Sequence, residues 1–143
     1  MSKRILAPLS DREDSESIVP VLGALARDFG ATVRLLRVMP VPENVIGTHG
    51  RTVAYVDQEM ARLTAEATED LRRVEAQLQG VPVDSVVRFG ESVDEILLEA
   101  EAFDADLIAL ASTGGGRLRR ALLPGVADRI ADKAPVPTLV LHG

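Results

Sequence analysis

Asp104-Ala105-Asp106-Leu107-Ile108-Ala109-Leu110-Ala111-Ser112-Thr113-Gly114-Gly115-Gly116 is the stretch on which the fold turns. Leu107 to Ala111 are apolar without a break, too short a run for a substantial helix and without the alternation of a half-exposed strand. Such a run suits a strand covered on both faces, the situation of a parallel sheet with helices above and below it. Two acids turn the chain into this strand, and three glycines carry it off the far end.

Similar units lie on either side. Ser92-Val93-Asp94-Glu95 reads as a capping box that opens a helix with Val93, Ile96, Leu97 and Ala100 inward. Asp84 to Phe89 is the strand before it. Beyond Pro124-Gly125 a last helix carries Val126, Ile130 and Ala134, and Pro135 and Pro137 bracket the entry to a final strand, Thr138-Leu139-Val140-Leu141. Upstream, Arg4-Ile5-Leu6-Ala7-Pro8-Leu9 is a buried-strand run, and Ile18, Leu22, Leu25 and Phe29 fall on one helical face that stops at Gly30. Pro20 suits a first turn, so this helix is expected to start no earlier than the residues just before it. Thr32 to Val38 is a second strand, and Met39 to Arg51, with two prolines and two glycines, reads as a loop. The stripe Val56, Met60, Leu63, Ala67, Leu71, Val74 and Leu78 marks the longest helix, ended by Gly80 and Pro82; it is the core face of a globular helix. The order βαβαβαβαβ predicts an α/β domain with a parallel sheet, helices on both faces and right-handed crossovers.

Composition agrees and excludes several functions. A chain of 143 residues is one domain. With aromatics at 3%, its core is built from Val, Leu, Ile and Ala. A net charge of −6 argues against broad nucleic-acid or anionic-membrane binding. There is no cysteine, and the two histidines, His49 and His142, are far apart, so no metal site is expected. No signal core opens the chain and no apolar run approaches a membrane span, so the expected compartment is the cytoplasm.

In an open α/β sheet the ligand crevice lies beyond the carboxyl ends of the strands, where strand order reverses. For five strands the reversal falls beside the first strand, next to the fourth strand or, in the flavodoxin-like order, the third. The glycine loop leaves strand four, Gly125 opens the next helix, and Arg117, Arg119 and Arg120 lie in a stretch with no acid from Ser112 to Ala127. Backbone N–H groups, a helix N-terminus and local positive charge suit a phosphate-bearing ligand. Other phosphate motifs fail. There is no G-x-x-x-x-G-K-[ST], and Arg119 stands where a dinucleotide fingerprint needs glycine or alanine. A phosphate-receiver reading fails as well, because strand three ends Arg88-Phe89-Gly90 without an acceptor aspartate.

Over essentially its whole length the chain resembles the universal stress protein family. Ile5-Leu6-Ala7-Pro8-Leu9 with Glu13 and Ser15 is similar to the family's first strand and loop. Gly90-Glu91-Ser92, Ile96 and Ala105-Asp106-Leu107-Ile108 are similar to its third βα unit. Val126-Ala127-Asp128-Arg129-Ile130 and Ala134-Pro135-Val136-Pro137-Thr138-Leu139-Val140 match without a gap. The resemblance implies a Rossmann-like, adenine nucleotide alpha hydrolase-like fold with sheet order 3-2-1-4-5. It also implies a non-enzymatic, stress-response regulatory role, with reversible binding of ATP, ADP or AMP.

Nucleotide-binding members carry G-x2-G-x9-G-[ST] after strand four. The ungapped match puts Ala111, Gly114, Pro124 and Gly125 on its fixed positions, so only Gly114 is retained. Pro124 lacks an N–H and Gly125 a hydroxyl. Two such bonds to a charged ligand, at about 1.5–3 kcal/mol each, are enough to weaken binding by orders of magnitude unless the arginines compensate. The family's adenine-contacting aspartate falls at Ser10, and Val38 is the residue whose backbone faces adenine. Residues and resemblance together nominate Pro8, Ser10, Val38, Ala111, Gly114, Arg117, Gly125 and Val126 as the nucleotide contacts of a degenerate crevice. The rival is a nucleotide-independent interaction module of the same fold. Catalysis is not expected, since no histidine, cysteine or lysine falls in the crevice. Thr138 to Leu141, an apolar edge strand, is expected to pair with its copy in a homodimer, as is common in the family.

Overall fold

The computed structural model describes residues 3–10, 12–42, 51–112 and 126–142. The strands are β1 (Lys3–Pro8), β2 (Ala31–Met39), β3 (Val83–Phe89), β4 (Leu107–Ser112) and β5 (Thr138–His142). The helices are α1 (Arg12–Phe29), α2 (Arg51–Gln77), α3 (Ser92–Phe103) and α4 (Val126–Lys133). All strand pairs are parallel, in the order β3-β2-β1-β4-β5, as expected. The order reverses at β1, whose neighbours are β2 and β4.

Alternation along the strands divides the core into two layers. Ile5, Ala7, Val33, Leu35 and Ala109 face α1 and α2, where they meet Ile18, Leu22, Leu71, Val74 and Leu78. Leu6, Leu36, Ile108 and Leu110 face α3 and α4, where they meet Val93, Ile96, Phe103, Val126 and Ile130. The long stripe of α2 is buried from Ala67 to Leu78, while Val56, Met60 and Leu63 are half-covered.

Two sequence expectations need correction. Helix α1 begins at Arg12, well before Pro20, which lies inside it. Pro20 is on the exposed side of the helix, where a missing N–H costs the packing little. The cap of α3 is Glu91, not Ser92: its extended backbone (φ −83°, ψ 133°) precedes the helix, and its side chain accepts the Asp94 N–H at 2.9 Å. The capping pattern therefore lies one residue earlier than Ser-x-x-Glu suggests.

On the α3 side of β2 and β3, the sheet carries charge. Arg34 donates to both carboxylate oxygens of Asp84 (2.9 and 3.0 Å) and to Glu99 (2.8 Å). Arg88 donates to Glu95 and to Glu99, each at 2.7 Å. The Arg34 guanidinium also stacks 4.4 Å from the Phe103 ring centre. Glu99 is 3% exposed, so its charge depends on the two arginines. Glu99→Ala should lower the unfolding free energy by about 3 kcal/mol, the low end for breaking a buried pair because both guanidiniums keep some access to water. Urea unfolding checks this through the shift in midpoint.

Candidate functional site

The carboxyl ends of β1 and β2 leave a cleft against the first turns of α3. It is shallow and open to solvent, encloses only about 30 Å³, and is lined by Pro8, Leu9, Ser10, Leu36, Val38, Ser92 and Ile96. Each wall has a local cause. Pro8 ends β1 in register with Leu36 of β2. The Leu9 N–H donates to Leu36 O at 2.8 Å, so the ladder's last bond is made just beyond the strand and Ser10 is the first residue past it. Val38 and Leu36 point to the α3 side by strand alternation. Ser92 and Ile96 are neighbours on one helical face.

Three of the nominated residues, Pro8, Ser10 and Val38, thus come together. Val126, at the start of α4, is buried in the core layer that holds Leu36 and Ile96, with Val38 packed against it. Ala111 lies near the carboxyl end of β4, paired in register with Leu141 of β5. Gly114, Arg117 and Gly125 lie outside the described residues, as do Asp11, Pro124 and the rest of the glycine–arginine loop.

The sequence reading missed Leu9, Leu36, Ser92 and Ile96 as cleft walls. Leu36 and Ile96 carry the signal of core residues, and Ser92 that of a cap. Only the crossover that places α3 over β1 and β2 makes them a wall.

The rim of the cleft is held electrostatically. The Asp94 N–H keeps the Glu91 carboxyl below the usual carboxylate range, helped by the Val93 N–H and by the charges of Arg129 and Lys133. Arg129 of α4 lies 3.7 Å from Glu91, so the two helices that flank the site are joined at their N-terminal ends. The Arg88 guanidinium is held above its usual range first by Glu95 and then by Glu99, and so fixes the first turn of α3 to β3. Gly90 precedes the cap at φ 152°; a Cβ there would lie 2.6 Å from the Glu95 carboxylate, so glycine is required.

A larger cleft, about 190 Å³, opens at the opposite, amino-terminal end of β1 and β4, between Lys3, Arg4, Ile5, Phe29, Asp106 and Leu107. The Arg4 backbone and the Asp106 carboxylate in its lining are already used in joining β1 to β4. The Arg4 N–H donates to Asp106 Oδ2 and the Asp106 N–H to Arg4 O, both at 2.8 Å. Ligand crevices of open α/β sheets form at the carboxyl ends, which favours the smaller cleft as the site. Among the described residues, no group of three or more His, Cys, Asp or Glu side chains is placed to hold a metal ion, and no helix is long and apolar enough to cross a membrane.

Comparison with known proteins agrees with this architecture. The model of the universal stress protein family matches residues 1–142. The chain belongs to the universal stress protein family. Universal stress protein MJ0531 of Methanocaldococcus jannaschii is 30% identical over 141 residues, 97% of this chain and 81% of that protein. The solved structure of hypothetical protein MJ0577, a structural-genomics test case for assigning biochemical function, superimposes with a TM-score of 0.80 at 26% identity, covering 100% of this chain and 97% of the other. The universal stress protein of Archaeoglobus fulgidus in complex with dAMP superimposes with a TM-score of 0.58 at 18% identity, covering 98% and 97%, a likeness of fold.

The Glu91 cap gives a pH prediction. A carboxyl whose folded pKa is depressed stabilises the fold above its unfolded pKa, and that stabilisation is lost as pH falls through the folded value. Glu91→Gln should therefore lower the melting temperature at neutral pH, and the gap to wild type should close as pH falls below about 4, near the ordinary carboxyl pKa. Thermal melts across that range check it.

Proposed function

We propose that this chain is a small stress-response regulatory domain that reversibly binds an adenine nucleotide in the cleft at the carboxyl ends of β1 and β2. The observation that carries this reading is the convergence of Pro8, Ser10 and Val38 at the carboxyl ends of β1 and β2, beside the N-terminal end of α3. The apolar walls, Leu36, Val38 and Ile96, suit the flat face of a base, and Ser10 offers a hydroxyl at the rim. The dAMP complex of the Archaeoglobus fulgidus relative makes adenine the base to try first.

Binding is weak in this reading. Ser10 is neutral and the glycine motif retains only Gly114, so acceptor and donor groups are fewer than a tight site requires. ATP, ADP and AMP are bound and released unchanged in this reading, since no histidine, cysteine or lysine lines the described part of the cleft. Calorimetry with ATP, ADP and AMP should give dissociation constants well above the micromolar range, with the nucleotide recovered intact. Tight binding would overturn the degenerate-site reading, and turnover would overturn the non-enzymatic one. If binding is seen, Arg117→Ala and Arg120→Ala should weaken it if these arginines take over from the lost donors.

A second reading, a nucleotide-independent dimeric interaction module, draws on β5. This strand lies at the sheet edge, and its Leu139 and Val140 are each 38% exposed. Two copies of Thr138 to Leu141 pairing antiparallel about a twofold axis form a closed contact. The dimer is compatible with nucleotide binding, and it becomes the main function if no nucleotide binds. Sedimentation should give twice the chain mass for wild type and the monomer mass for Val140→Pro. A monomeric wild type would remove the dimer.

A further inference from the structure

Arg37 is a buried cation on a strand face that is otherwise apolar. It lies on β2 between Leu36 and Val38 and is 8% exposed. Strand alternation directs it to the α1/α2 side, away from the cleft, which is lined from the other side by Leu36 and Val38. A charge placed there carries a large desolvation cost, so its partners indicate what it is for. Its Nε donates to the Leu9 carbonyl oxygen at 3.0 Å. Its Nη1 lies 3.9 Å from Asp70 Oδ2 on α2, and Asp70 is also paired with Arg73 one turn further on.

Leu9 is therefore held at both of its backbone groups. Its N–H is bound to Leu36 O at 2.8 Å, and its C=O receives the Arg37 guanidinium. The next peptide group is the Leu9–Ser10 link, whose carbonyl is the one Arg37 holds. With that plane fixed, the direction in which Ser10 leaves β1 is fixed as well. Ser10 is one of two serines that line the described part of the cleft, the other being Ser92 of α3.

We infer that Arg37 is a positioning residue for the nucleotide cleft: from the opposite face of the sheet it clamps the Leu9 carbonyl and so sets the orientation of Ser10, with Asp70 of α2 holding the guanidinium in place. This inference rests on the proposed function of the cleft. It assigns Arg37 no contact with a ligand.

The test uses the full chain and the variants Arg37→Met and Arg37→Lys, read in two ways. The first readout needs no ligand. The Leu9 carbonyl-carbon and Ser10 amide resonances should move in Arg37→Met, while the methyl resonances of Val33 and Leu71, in the same core layer, hold their positions. The second readout is ADP affinity by calorimetry, which should fall roughly tenfold, the equivalent of one hydrogen bond of about 1.4 kcal/mol. Arg37→Lys keeps a charge beside Asp70 but loses the Nε donor; it should show both effects to a smaller degree, and it is the variant read if Arg37→Met does not fold. Unmoved Leu9 and Ser10 resonances overturn the clamp. Moved resonances with unchanged ADP affinity overturn its role in the cleft. If wild type binds no ADP while the variant moves the Leu9 and Ser10 resonances, the clamp stands and the nucleotide reading falls.

Discussion

Strand β1 has β2 on one edge, β4 on the other and a helical layer over each face, so nothing along Ile5 to Pro8 can turn to water. That enclosure sets the terms for the rest of the molecule. Side chains on both faces of the central strand must be aliphatic and closely fitted, as Ile5, Leu6 and Ala7 are. The chain must also find partners for its backbone as soon as the strand ends. Pro8 brings no donor, and Leu9 has one foot in the ladder through Leu36 O and the other on Arg37. The crevice forms where enclosure gives way to a chain leaving the sheet.

The two edges of the sheet are handled in opposite ways. At β3, Asp84 and Arg88 bring charge to the edge and tie it through Arg34 and Glu99 to α3. Such a network orders the β2–β3–α3 corner and gives an intruding strand charged side chains to bury. At β5, Leu139 and Val140 are apolar and partly open to solvent. The first edge thus carries charge that opposes strand addition, and Leu139 and Val140 bring none to the second.

Much of this was legible from local pattern. Apolar runs marked β1, β4 and β5, shorter apolar stretches broken by charge marked β2 and β3, and the stripe from Val56 to Leu78 marked α2. The start of α1 was not legible: Pro20 has a strong preference for first turns, but packing of Ile18 and Leu22 on the buried side outweighs one missing N–H on the exposed side. The α3 cap was displaced by one residue because Glu91 takes a role more often filled by serine. Ser10 and Val38, at the ends of β1 and β2, were nominated through the family resemblance. Ser92 and Ile96 needed the crossover. The Arg34–Glu99–Arg88 cluster joins residues up to 65 positions apart, and Arg37 serves the site from its far side, so neither leaves a signal in spacing.

The reciprocal bonds between Arg4 and Asp106 span 102 positions of the chain. They bear on how the molecule is made. During synthesis β1 emerges before β2 and β3, which follow with their covering helices. The second edge of β1 has no partner until Leu107 and Ile108 have been made, about a hundred residues later. Until then the future centre of the sheet is an open apolar edge, the surface most prone to wrong pairing. A nascent chain stalled before β4 should therefore be a client for chaperones, and premature truncation there should give aggregates in place of a smaller folded domain.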